Sequence, residues 1–215
     1  MRKGHMTRSY FMQKYWRYYL ILEEKFLNTL NYVELAENNM STYSNEFAHL
    51  IQAVGAELDA FFKEYCEFNL NDRKTIADYA KYILKNDSDI TKQEIDAQDY
   101  DVSFVPFKGW DIAKASQTLT WWEAFIQIKH SRILNIERAS LENTMQILGA
   151  LYFLEINFLD KITKETKESN RPDIESSIFL LKDWKYNHTS LRSVQWPSDG
   201  SIVIDGGGGY DQRGL

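Results

Sequence analysis

Residues Leu141 to Thr166 constrain this chain more than any other stretch. Met145, Leu148, Tyr152, Ile156 and Leu159 fall on one side of a helix, and Ile147, Leu151, Leu154 and Phe158 fall on the other. A helix that is apolar on nearly every side has no face to give to solvent and belongs at the centre of a fold. Glu155 and Asn157 interrupt the run. The uninterrupted apolar stretch is also shorter than the roughly 20 residues that span a bilayer. A chain with such a helix must supply others to surround it.

Those helices are visible in the periodicity. From Arg8 to Glu37, the residues Phe11, Tyr15, Tyr18, Leu22, Phe26 and Val33 repeat at helical spacing, with Asn38-Asn39 as a stop. A second helix begins at a cap among Ser41, Thr42 and Ser44. It carries a core stripe of Phe47, Leu50, Ile51, Val54, Leu58, Phe61, Phe62 and Tyr65. Ala53, Gly55, Ala56 and Ala60 leave room for a neighbouring helix to approach. A shorter helix is expected from Asp72 to Lys85, capped by Asp72. Asp87 to Asp101 reads as a polar surface excursion with one short helix. The aromatic stretch Val102 to Trp110 is too apolar for a solvated loop and should pack on the body. Another helix is expected from Thr118 to Leu134.

The expected fold is therefore all-α, an antiparallel bundle of about five or six helices with a small irregular or β-hairpin C-terminal appendage. Residues 1–7 read as a cloning remnant, 8–166 as the bundle, 167–205 as the appendage and 206–215 as a flexible tail. Ile174 to Trp184 suits either helix or strand. Val194 to Ile204 reads as a hairpin around Pro197-Ser198-Asp199-Gly200.

Composition narrows the function classes. The 215 residues are 44% hydrophobic with a net charge of -6. An acidic chain lacks the broad basic surface of a general DNA binder, although a local basic site remains open to it. The single cysteine, Cys66, excludes an internal disulfide and reads as a small core residue. His49, His130 and His188 are too scattered to suggest zinc, so neither a metal nor a cofactor is expected. With no membrane-spanning run and no signal peptide, the expected location is cytoplasmic.

Chemistry concentrates in Trp121 to Arg132. On a helix turning about 100° per residue, Trp121, Phe125, Ile128 and Arg132 share one face, and Trp122, Ile126, Lys129 and Ile133 lie beside them. Lys129 and Arg132 thus fall within an apolar arc, with His130 at its edge. Cations there need an acid, a carbonyl cluster or an anionic ligand. Glu57, and second Glu46, are the expected acids. The bland alternative is an Arg132 that ends the helix and reaches water.

Together with Tyr43-Ser44-Asn45-Glu46-Phe47-Ala48 and Gly55-Ala56-Glu57-Leu58-Asp59, this segment resembles the HEPN superfamily (higher eukaryote and prokaryote nucleotide-binding domains). The resemblance extends in helix order over about residues 8–166. It implies an antiparallel helical bundle, frequently homodimeric. It also implies metal-independent endoribonuclease activity of the kind found in toxin and abortive-infection systems. In the ribonuclease members an Arg stabilises the scissile phosphate and a following His moves protons. Here His130 falls on the histidine, while Phe125 replaces the arginine and Ile126 the polar residue after it.

Two functions follow from that departure. The first is a non-catalytic HEPN-like module that binds a nucleotide, RNA or a protein partner, using Lys129, His130, Arg132, Glu57 and Glu46 as a structural or anion-binding cluster. The second is an endoribonuclease with an altered site: His130 for proton transfer, Arg132 or Lys129 as phosphate clamp, and Glu57 as the orienting acid.

Overall fold

The computed structural model describes residues 6–187, the side chain of Glu165 apart, and the backbone of two further strands, Leu191–Gln195 and Val203–Gly206. The chain is mostly helical. Its first helix is built from α1 (Arg8–Phe11), a π-helical turn (Met12–Trp16) and α2 (Arg17–Thr29). The other helices are α3 (Asn45–Tyr65), α4 (Ile76–Asn86), α5 (Thr120–Ser131) and α6 (Leu141–Thr166).

Helix α6 is central, as its all-round apolarity requires. It touches α1, α2, α3 and α5, and Leu148, Leu151, Leu154 and Leu159 on it are buried. The contacts fix the helix directions. Tyr43 bridges to Ser140, and the Tyr65 hydroxyl donates to Asn157 Oδ1 at 2.7 Å, so α3 and α6 run the same way. Phe11 meets Phe158 while Trp16 meets Tyr152, so the first helix runs opposite to α6. Trp122 meets Phe62 while Arg132 reaches Asn45, so α5 runs opposite to α3. The expected antiparallel bundle is thus corrected at its central pair, which is parallel.

The π-helical turn explains a shift in the buried face of the first helix. The regular repeat expects Tyr15 and Tyr18 beneath Phe11, but the buried residues are Phe11, Trp16, Tyr19, Leu22 and Phe26. A π turn spends one extra residue, so the stripe steps five positions from Phe11 to Trp16 and continues in the new phase. Tyr18 is left exposed. The helix ends at Thr29, short of the expected Glu37, and a 3-10 turn follows at Glu37–Asn39.

Three short strands correct the all-α expectation. β1 (Ile95–Ala97) lies in the segment read as a polar excursion and pairs antiparallel with β2 (Val102–Phe104) and β3 (Phe179–Leu181). Ile95, Ala97, Phe104, Phe179 and Leu181 are buried. The sheet packs on α6 at Gly149, where a Cβ would lie 2.6 Å from the Phe104 ring. Because β3 belongs to this sheet, residues beyond 166 complete the body. The first helix grips the same segment. Arg8 donates to the carbonyls of Ser169 and Arg171 and to Asp173, and Trp16 Nε1 donates to the Ile174 carbonyl. The buried Glu23 carboxyl accepts from Tyr19 Oη at 2.5 Å, from the Ser177 N–H at 2.8 Å and from Ser176 Oγ.

Other boundaries follow local chemistry. Ser44 caps α3 through the Phe47 N–H, and the whole expected α3 stripe is buried. Helix α4 starts later than expected. Thr75 and Asp78 form its capping box, which displaces Asp72 from that role. Phe107 and Trp110 are buried, as their aromatic density requires. β4 (Leu191–Gln195) pairs antiparallel with β5 (Val203–Gly206), with Gln195 opposite Val203, in the region expected to form a hairpin. Its connecting turn, His188, residues 1–5 of the segment expected to be a cloning remnant, and the tail after Gly206 lie outside the described residues.

Candidate functional site

Helix α5 is seated by its two tryptophans. Trp121 Nε1 donates to the Pro106 carbonyl at 2.7 Å within the core, and Trp122 packs edge-on against Phe62. One turn on, Phe125 is buried against α3 at Gly55. No side chain fits between them: a Cβ on Gly55 would lie 2.7 Å from Phe125 Cε2 and closer still to other ring atoms. The position matching the arginine of the resembled motif is therefore a packing position in the α3–α5 contact.

The cations at the end of α5 are exposed. Lys129 Nζ lies 5.4 Å from the centre of the Phe125 ring, within cation–π range. Arg132 Nη1 donates to Asn45 Oδ1 at 2.6 Å. His130 is exposed beside them. Asn135 ends the helix by donating its Nδ2 to the Ser131 and Gln127 carbonyls. That turn presents Ile133 and Leu134 outward at 79% and 76% exposure. The strap between the N-termini of α3 and α6 brings Asn45 to this end. Ser44 N–H donates to the Ala139 carbonyl, and Leu141 N–H to the Thr42 carbonyl.

The expected acids are elsewhere. Because α5 runs opposite to α3, its cationic end meets the start of α3. Glu57 is 12 residues along that helix, about 18 Å away at 1.5 Å per residue. Glu46 is at the correct level, but its carboxylate lies 3.6 Å from His49 Nδ1. The predicted meeting of Glu57 with Arg132, Lys129 or His130 is thus replaced by Arg132 on an amide oxygen. The apolar arc is split as well, with Trp121, Phe125 and Ile128 inside and Arg132 out. Asn45, within a segment quoted for the resemblance, is the partner that charge matching passes over.

Glu57 is instead half-buried, on the side of α3 toward the π-helical turn and α6. There it interacts with Tyr15 and with Glu155. Glu155 is fully buried, and neither of its oxygens has a hydrogen-bond partner. Burial, then the nearby Glu57, pushes its carboxyl well above the usual range, so it is held as the neutral acid. Burial also raises Glu57. The Tyr15 hydroxyl is pushed up to about 12 by burial and by the surrounding carboxylates. The sequence marks Glu155 only as an interruption in an apolar run. Among the described residues, no group of three or more His, Cys, Asp or Glu could hold a metal ion. No helix of the described residues is long and apolar enough to cross a membrane.

No protein-family model, curated protein or solved structure matches this chain.

Proposed function

We propose that this chain is a HEPN-like helical module that binds an anionic ligand, RNA or a nucleotide, through Lys129, His130 and Arg132, and does not cleave it. The observation that carries the reading is the burial of Phe125 against Gly55. Where the resembled ribonucleases hold a phosphate-stabilising arginine, this chain has a ring with no room for a charge. The exposed Lys129, His130 and Arg132 remain at the end of α5 on an otherwise acidic chain. Asn45 orients the guanidinium without neutralising it. Such a site binds phosphate mainly by charge, with affinity that falls as salt rises. Homodimerisation and a role in a bacterial or phage-defence system belong to the same reading.

The alternative, an endoribonuclease with an altered site, draws support from the accessibility of His130 beside two cations. Labelled RNA incubated with the wild type, His130→Ala and Lys129→Ala/Arg132→Ala separates the two readings, with cellular toxicity scored in parallel. The binding module predicts intact RNA and about tenfold weaker binding by the double variant at low salt. Cleavage by the wild type that His130→Ala abolishes would establish the ribonuclease. RNA and nucleotide binding no stronger in the wild type than in the double variant would sink the proposal.

A further inference from the structure

We propose that a groove beside β2 receives an extended, basic segment of a partner protein as a fourth strand of the sheet. The sheet order is β2-β1-β3, so β2 is an edge with no strand on its outer side among the described residues. Backbone groups on such an edge are a template for strand addition.

The placement of the sheet on α6 defines the next strand position. On β3, Phe179 packs at a tilt against Tyr152, their ring centres 5.7 Å apart. Nearer the start of α6, Ile95 of β1 and Phe104 of β2 close over Gly149. From β3 to the pair β1 and β2, the contacts move three residues toward the start of α6. Still nearer that start, Met145 and Gln146 border the space beside β2. There a groove of about 490 Å³ opens, bounded by β2 on one side and the first turn of α5 on the other. That volume suits a few residues of extended chain.

The groove wall selects the occupant. Glu37, Asp101 and Glu142 line it, against the single cation Lys108. Phosphate is repelled there, which separates this surface from the cationic end of α5. Met40 and Met145 supply an apolar floor. A fitting strand carries lysine or arginine for the carboxylates beside apolar residues for the methionines.

The test uses the full chain and a short blocked peptide of alternating valine and lysine, with an alternating valine and glutamate peptide as control. Fluorescence anisotropy should show the lysine peptide binding. Hydrogen exchange should slow at the amides of β2 that face away from β1 when it does. Asp101→Lys/Glu142→Lys alters only exposed side chains; it should stay folded, with a small loss of melting temperature because Glu142 lies in the first turn of α6, and weaken binding by about tenfold. The proposal is overturned by no binding of the lysine peptide, equal binding of the glutamate peptide, retention of affinity by the folded charge-reversed variant, or binding without slowed exchange at β2.

Discussion

Phe125 occupies the space in which Gly55 would carry a side chain, so α3 and α5 approach through a ring set against bare backbone. The pair predicts its own genetics. Gly55→Ala should destabilise by about 1–3 kcal/mol through overpacking. Phe125→Ala should cost about 3–5 kcal/mol through loss of a buried ring. Combined, they should be less damaging than their sum, because the new methyl group enters the space the ring leaves. Denaturant unfolding measures all three; strict additivity would argue against the contact. Phe125→Arg restores the arginine of the resembled motif, yet it buries an unpaired charge and should unfold the chain rather than create a ribonuclease.

Glu155 gives the fold an unusual pH dependence. In the unfolded chain its carboxyl ionises at about the ordinary 4.5, whereas in the folded chain it keeps its proton to much higher pH. The folded state therefore binds more protons between those values, and its stability falls as pH rises through that window. The slope approaches about 1.4 kcal/mol per pH unit for one group. Glu155→Met removes two unpartnered oxygens. It should stabilise the chain by about 1–3 kcal/mol at neutral pH and flatten the dependence. Thermal melts from pH 5 to about pH 8 decide the matter; a wild type whose melting temperature does not fall across that range would count against it.

Glu23 fastens the segment after α6. Its carboxyl is the acceptor for Tyr19 Oη, Ser176 Oγ and the Ser177 N–H. Ser176 Oγ in turn accepts from the Ile178 and Phe179 N–H groups. Glu23→Ala should cost roughly 1–3 kcal/mol for each interior donor left unpaired. Hydrogen exchange should accelerate first in β3 and then in its partner β1. Unchanged protection at Phe179 to Leu181 would show that β3 is held by other contacts.

Cys66 is a buried free thiol whose pKa burial pushes up to about 12. Only the thiolate reacts readily with alkylating reagents. The native chain should resist modification at neutral pH and become reactive on unfolding, which makes Cys66 a reporter for the stability experiments above. Rapid labelling without denaturant would contradict the burial.

The elements that were legible in the sequence are those whose evidence is local. The α3 stripe from Phe47 to Tyr65 and the Ser44 cap needed only periodicity and one hydroxyl in the right place. The central position of α6 followed from a helix with no polar face to expose. The same logic failed in the first helix, because one π turn moves every later residue by a phase that periodicity cannot register. The strand alternative for Ile174 to Trp184 holds at β3, but the sheet itself was not legible, because each strand is only three residues long and β3 lies some 80 residues from its partner, a pairing that local propensity does not encode.

Charge alone selected Glu57 for Arg132. The opposed direction of α5 and α3 selected Asn45 instead, and it left a half-buried Glu57 acting on Glu155. Sequence by itself determined which residues this protein must bury, because the cost of exposing apolar surface depends on residue type and spacing. Only the tertiary structure decided which polar groups meet, because hydrogen bonds and ion pairs act over a few ångströms and helix direction sets those distances.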